Sequence, residues 1–159
     1  MAVAAGVHSI EHGLFLTDDD VVALAARVGM WVPTLLRIEE TIRQIGAESS
    51  GGRLLTDGLA NTRRLLPKAI EAGVNVLAGT DLVGTPANVA NEAIKLGEYG
   101  ISNGQVVEAV ARAGFRATGR DFEFAVGSPA DAVLYSEDPI SNVEVLNHPA
   151  VIVRKGVVL

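Results

Sequence analysis

The chain has 159 residues, of which 48% are hydrophobic and 4% aromatic, so its core must be built mainly from aliphatic side chains. A formal net charge of −6 without any cluster of Lys and Arg argues against nucleic-acid binding, because phosphate contacts need concentrated positive charge. The lack of cysteine excludes a disulfide framework, a thiolate zinc site and a cysteine nucleophile.

The first apolar segment, VHSIEH at 7–12, predicts a short strand. The sequence TDDDVVALAARVG follows it and predicts a helix, with apolar residues at helical spacing and acidic residues at its positive end. Thr17 or Asp18 is the expected N-cap of this helix, and Gly29 is its expected stop.

A second strand and two helices are predicted next. MWVPTL at 30–35 is typical of a strand closed by Pro33. The polar segment 37–52 predicts a helix followed by a surface loop, with AESSGG as its flexible end. The loop from 36 to 54 carries no group that would decide substrate choice. Leucines and alanines at helical spacing predict a further helix over 56–73, bent or restarted near Pro67.

The third strand is predicted at 74–81, where the apolar run VNVLAGTD ends in an acid. The segment 86–100 begins near a proline and ends near a glycine, which is typical of a helix. In the following segment Ser102 and Gln105 have the spacing of a capping box, and Gly114 is the expected end of that helix.

Strands alternate with helices up to about residue 114, which predicts parallel βαβ units. Beyond residue 120 short Val-rich pieces at 131–136, 150–156 and the terminus predict antiparallel strands. We therefore expect an α/β protein with a domain at 1–120 and a small β region at 121–159.

No apolar run approaches the roughly 20 residues of a membrane span, and the start lacks a signal-peptide pattern, so we expect a cytoplasmic protein without membrane contact.

His12 and Asp81 share one setting, since each follows an apolar strand and precedes a loop and a helix. In barrel enzymes the active site lies at this end of the strands. His12 is either a metal ligand or a turn histidine bonded to backbone, and Asp81 is either a metal-binding, proton-accepting carboxylate or a helix cap. We interpret Trp31 as a core residue, and His8 and His148 as solvated or structural.

Several segments resemble the C-terminal half of the metal-dependent amidohydrolase superfamily, particularly its imidazolonepropionase-like and prolidase-like members. They are AGVHSIEHGLFLTDDDVVALAARVGMWVPTL, VNVLAGTD, and the closing GSPADAVLYSEDP and PAVIVRKGVVL. The closing segments are the most specific, because they match strands of the small β-sandwich beside the barrel in that family. The resemblance covers nearly the whole chain and is weakest in the middle loop and over 115–126.

The resemblance implies the C-terminal part of a (β/α)8 TIM barrel, with about three of its strands, plus strands of a small β-sandwich. It also implies one or two divalent metals, usually zinc, and a metal-activated hydroxide that attacks the C–N bond of a small amide, cyclic amide or peptide-like substrate. By this match His12 is a metal ligand at the sixth strand, and Asp81 is the metal-binding, proton-transferring aspartate of the eighth.

The family's H-x-H pair, bridging lysine and fifth-strand histidine have no counterpart here, so we expect the chain alone to bind metal poorly and hydrolyse little. Three hypotheses stay open: a fragment of a hydrolase, a non-catalytic α/β interaction module, and one subunit of a split hydrolase completed in trans. Because three parallel strands leave open edges, we expect pairing with a second copy or with a missing N-terminal half.

Overall fold

Three short parallel strands form the first sheet, in the order β1, β2, β3. The computed structural model describes residues 2–81, 88–120 and 125–159. In the sheet Ile10 lies beside Trp31, and Trp31 beside Val76. This arrangement confirms the predicted parallel βαβ pattern. The strands are Ser9–Glu11 (β1), Met30–Val32 (β2) and Asn75–Val76 (β3).

Six α-helices surround or follow this sheet in the described ranges, and local capping explains several of their starts. The Thr17 hydroxyl accepts the Asp20 amide in a capping box, and Ser102 and Gln105 form a second one, as the sequence predicted. The predicted helix start near Pro86 lies outside the described residues. The helices are Asp18–Ala25 (α1), Leu35–Ile45 (α2), Ser50–Glu71 (α3), Val89–Glu98 (α4), Asn103–Ala111 (α5) and Ala113–Ala117 (α6).

Helix α3 begins earlier than the sequence suggested, because AESSGG is a helix start and not a flexible loop end. The Ser49 hydroxyl accepts the Gly52 amide at 2.9 Å and so caps the helix. A Cβ at Gly52 would lie 2.2 Å from the carbonyl oxygen of Gly46, so glycine allows the first turn to pack on the preceding loop. The helix continues through Pro67 without interruption.

Two glycines predicted to end helices have other roles. Helix α1 ends at Ala25, and the left-handed residue after it is Val28 with φ 54°. Gly29 packs under Leu24, where a Cβ would lie 2.5 Å from the Leu24 Cδ1 atom. Gly114 lies inside α6, which follows α5 after one residue. Close packing on Leu24, which single-sequence patterns do not reveal, explains Gly29, whereas a Cβ at Gly114 would meet no atom within 4 Å.

The core is aliphatic around one large aromatic residue. Trp31 is completely buried at the centre of the sheet, which confirms its prediction as a core residue. Leucines from the helices belong to the same buried cluster, and burial of such side chains is worth about 1.5–3 kcal/mol each. The fully buried leucines are Leu24, Leu35, Leu65, Leu66 and Leu96.

The C-terminal region forms an antiparallel sheet, as predicted, from Ala132–Leu134 (β4), Val151–Arg154 (β5) and Val157–Val158 (β6). A 3₁₀ helix at Val143–Asn147 contacts α4 and α5, and its Leu146 is buried in the core that surrounds Trp31. None of the helices in the described ranges is both long enough and apolar enough to cross a membrane.

Candidate functional site

Each of the three parallel strands is followed by a non-glycine residue in the left-handed region. These residues are His12, Thr34 and Asp81, with φ angles of 60°, 51° and 44°. Among the described residues only two other non-glycine positions have positive φ. Left-handed backbone is unfavourable for side chains with a Cβ, and it persists where the surrounding structure enforces it, frequently at functional sites. The strain therefore marks the carboxyl edge of this sheet.

The His12 imidazole is held in a defined orientation. Its Nδ1 atom lies 2.5 Å from the Thr34 hydroxyl oxygen, and that hydroxyl donates to the Pro33 carbonyl at 2.7 Å. A hydroxyl has one hydrogen, so with that hydrogen directed at Pro33 the Thr34 oxygen is the acceptor for His12, which assigns the proton of the ring to Nδ1. In the neutral ring this tautomer leaves Nε2 unprotonated and available as an acceptor or metal ligand.

The glycine of the Glu-His-Gly sequence is explained by contact with Trp31. Gly13 has φ 64°, and a Cβ there would lie 2.5 Å from the Trp31 Nε1 atom. That Nε1–H group donates to the carbonyl of His12 at 2.9 Å, while the His12 amide donates to the Val32 carbonyl. The core tryptophan therefore fixes the backbone at the tip of β1.

Asp81 follows an extension of β3 along β2. The Leu77 amide donates to the Trp31 carbonyl at 3.0 Å, and Gly79 lies so close to Val32 that a Cβ would be 2.3 Å from its Cγ1 atom. The Asp81 carboxylate lies 3.5 Å from the Nε atom of Arg37, and both side chains are roughly half exposed. Asp81 thus faces solvent at the sheet edge with a cation beside it.

Sequence reasoning missed Arg37, which lies in the segment predicted to hold no decisive group. The available signal was its position: Arg37 lies three residues after Thr34, so one helical turn brings it back toward the strand tips. Thr34 was also missed as a partner of His12. Both residues belong to the start of α2, so a single helix start contacts the side chains of His12 and Asp81.

A buried carboxylate on α4 holds this helix start. Glu92 is completely buried, and its two oxygens accept the amides of Leu35 and Leu36 at 2.7 and 3.0 Å. Burial raises the pKa of Glu92, and the two amide hydrogen bonds only partly oppose that rise. No local pattern in the sequence indicates this contact, because the partners lie 56 and 57 positions apart.

An open cavity of about 380 Å³ lies beside His12. Ile10, Leu14, Phe15 and Leu16 give it a mainly apolar lining, and Asp20 lies at its border. His12 therefore lines a mainly apolar cavity and also contacts the hydroxyl of Thr34.

His12 and Asp81 carry donor atoms that bind divalent metals, but two ligands are fewer than a catalytic metal site typically has. An imidazole nitrogen and a carboxylate oxygen are both zinc ligands, yet catalytic zinc typically has three protein ligands. Within the described part of the chain, no three His, Asp or Glu side chains gather into a metal-binding group. His8 and His148 are exposed. His12 and Asp81 follow the two outer strands of the sheet and are connected through α2.

The complete chain, residues 1–159, matches the model of the amidohydrolase family. Uncharacterized proteins of Mycobacterium bovis and Mycobacterium tuberculosis are each 31% identical to it over 162 residues. The match covers 97% of this chain and 43% of each relative. The chain therefore spans less than half the length of the curated relatives it matches.

Solved structures similar to the chain have TM-scores near 0.8, and each match covers 99% of the chain. They include a Xaa-Pro dipeptidase with methionine bound in its active site (TM-score 0.81, 23% identity, 41% of that chain covered). A second is the ochratoxinase of Aspergillus niger (0.81, 20%, 38%), and a third is a prolidase complexed with N-methylphosphonate-L-proline (0.79, 21%, 41%).

These likenesses establish the fold as the C-terminal part of an amidohydrolase TIM barrel followed by an antiparallel sheet, as the sequence suggested. They cover about two fifths of each solved chain. The family model, by contrast, matches the chain from its first residue to its last. The protein belongs to the amidohydrolase family.

Proposed function

We propose that the chain supplies part of the active site of a metal-dependent hydrolase that cleaves C–N bonds in small amide or peptide-like substrates. In this proposal His12 is a metal ligand through Nε2. Asp81 is a second ligand and the group that accepts a proton from water. The metal is a divalent cation, with zinc as the first candidate, and the enzyme is cytoplasmic.

The observation that carries the proposal is the 2.5 Å contact between the His12 Nδ1 atom and the Thr34 hydroxyl. With the Thr34 hydrogen directed at Pro33, the contact is assigned as an Nδ1–H donor bond, and the opposite nitrogen of the neutral ring is then the acceptor. A histidine ligand in a metal site characteristically donates its other ring N–H to a neighbouring oxygen in this way. A turn histidine bonded only to backbone would not need the hydroxyl of a residue from the next strand.

Asp81 has the exposure and the neighbour that the proposed role requires. A carboxylate that accepts a proton must reach solvent or substrate, and the Asp81 side chain is 46% exposed. Arg37, whose Nε atom lies 3.5 Å from the carboxylate, is a cationic neighbour that helps to hold the carboxylate in place. A bound divalent metal would supply Lewis acidity, which lowers the pKa of water and polarises a carbonyl.

Further donors must come from residues other than those described. We propose that they lie in a longer chain of which this is the C-terminal part, or in a second subunit, since the chain spans 43% of its curated relatives.

The division into domains at residue 120 stays a prediction. Leu146, beyond that division, packs into the core around Trp31, which favours close association of the two regions.

The test is hydrolysis of Xaa-Pro dipeptides and N-acyl amino acids by the zinc-loaded chain, alone and joined to its upstream sequence. We expect little turnover by the chain alone and zinc-dependent turnover by the completed enzyme. In that enzyme His12→Ala should abolish hydrolysis, and Asp81→Asn should lower kcat far more than it changes KM. His148→Ala, an exposed histidine, is the matched control. Unchanged turnover in Asp81→Asn would remove it as the proton carrier.

A non-catalytic interaction module is the second candidate, because apolar side chains are exposed on the antiparallel sheet. They include Val133, Ile152, Val157, Val158 and Leu159. The outer edges of β1 and β3 also face no further strand among the described residues. Both candidates predict that the isolated chain self-associates, as measured by light scattering. They differ in the completed enzyme, where the hydrolase predicts zinc-dependent hydrolysis and the interaction module predicts none.

A further inference from the structure

The start of helix α2 is held by a residue from another helix. Thr34 precedes α2, but its hydroxyl contacts His12 and Pro33 instead of the helix amides. The amides of Leu35 and Leu36 are satisfied by the buried carboxylate of Glu92 on α4. Orphan amides at a helix start need such an acceptor, and a negative charge there also interacts favourably with the helix dipole.

We infer that Glu92 is a positioning residue for the candidate site, an inference that rests on the proposed roles of His12 and Asp81. Leu35 and Leu36 lie between Thr34 and Arg37 in sequence. Fixing these two amides therefore fixes the turn that carries both contacts. Through Thr34 the carboxylate sets the orientation of the His12 ring, and through Arg37 it sets the placement of Asp81.

The burial of Glu92 shows that it is more than an ordinary surface cap. A buried carboxylate is costly unless its oxygens are bonded, and both Glu92 oxygens have a partner of defined direction. The charged groups around it are Glu39 on α2 and Lys95 on α4, which lie 3.3 Å apart. This arrangement joins α4 to α2 by charge as well as by packing.

The test is NMR on the isolated chain, without metal or substrate, comparing wild type with Glu92→Gln. Glutamine keeps the shape and one acceptor oxygen but presents an NH2 group to one of the two amides. We expect hydrogen exchange at Leu35 and Leu36 to accelerate by roughly 10- to 100-fold, the range for losing a hydrogen bond to a charged group. The His12 Nδ1 resonance and the Asp81 carboxylate resonance should shift as well.

Leu96→Ala is the matched control, because Leu96 is another completely buried residue of α4 and does not bond to the start of α2. It should lower stability and leave the His12 and Asp81 resonances in place. If Leu96→Ala shifts these resonances as much as Glu92→Gln does, the role of Glu92 is structural only and the inference fails. It also fails if the Leu35 and Leu36 amides respond while His12 and Asp81 do not.

A measurement on wild type covers the case in which Glu92→Gln does not fold. Acid titration should move the Leu35 and Leu36 amides together with the Thr34 and Arg37 resonances, with a shared midpoint. Glu39→Gln removes the other nearby carboxylate, and in this variant the four resonances should still change together with the same midpoint. If the shared change disappears in Glu39→Gln, the titrating group is Glu39 and the inference is overturned. Because no metal is used, these results are independent of whether the proposed hydrolysis is found.

Discussion

The imidazole Nδ1 atom of His12 lies 2.5 Å from the hydroxyl oxygen of Thr34, across the tips of two neighbouring parallel strands. Both residues have left-handed backbone. A side-chain hydrogen bond between two strained strand ends connects the geometry of β1 to that of β2. The ring orientation therefore depends on the backbone of both strands.

The left-handed backbone of His12 should have a measurable cost. His12→Gly and His12→Ala both remove the bond to Thr34, but only glycine adopts φ 60° without strain. We expect the glycine variant to be more stable than the alanine variant by about 1 kcal/mol, as measured by urea unfolding. If the alanine variant were the more stable, the site would not be strained at this position.

The ion pair between Arg37 and Asp81 should contribute little to stability. Its atoms are 3.5 Å apart and both side chains are partly exposed, so its contribution falls in the range of about 0–1 kcal/mol. We expect Arg37→Ala to lower the free energy of unfolding by less than about 1 kcal/mol, and the effect to diminish at high salt. Arg37→Lys, which keeps the charge, is the control. A much larger, salt-independent loss would show that Arg37 has a packing role.

Asp18 should stabilise the fold above its unfolded pKa. Hydrogen bonds from Lys68 and then Arg64 hold the pKa of Asp18 below its ordinary value of 3.8. The stabilisation is therefore fully present above 3.8 and disappears as the pH falls through the lower folded pKa. Asp18→Asn should be less stable than wild type near neutral pH and equal to it in strong acid. A difference that persists in acid would contradict this assignment.

Glu92 should show the opposite dependence. Burial raises its folded pKa above the ordinary value of 4.5, so the folded state holds the proton more tightly than the unfolded state. Stability then falls as the pH rises from about 4.5 through the folded pKa. Relative to Glu92→Gln, wild type should lose stability across this window in denaturant titrations at successive pH values. A relative gain would show that the two amide bonds outweigh burial.

Local signals in the sequence were sufficient to predict the order of strands and helices along the chain and much of the helix capping. The spacing of Thr17 and Asp20 and of Ser102 and Gln105 encodes contacts within four residues, so these caps are visible in sequence. The positions of His12 and Asp81 after apolar strands were predicted for the same reason. The carboxyl ends of parallel strands lie at the same edge of a sheet, so both positions reach that edge regardless of how the intervening helices pack.

The contacts that shape the site were not predictable, because they join distant segments. Glu92 reaches Leu35 across 57 positions, and no local pattern distinguishes it from a solvated helix glutamate. The start of α3 was misjudged because Gly51 and Gly52 are typical of loops, whereas here the lack of a Cβ permits close packing on the loop before the helix. Tertiary packing overrode propensity in both cases.

The proposal that His12 and Asp81 bind one divalent metal at this sheet edge is tested most directly with Co²⁺ as a paramagnetic probe. NMR spectra of the chain, recorded while Co²⁺ is added, detect even weak binding by the broadening of nearby resonances. We expect broadening centred on His12, Thr34 and Asp81, lost in His12→Ala and retained in His148→Ala. Broadening centred on the acidic segment 18–20, or unchanged in His12→Ala, would contradict the proposed metal site.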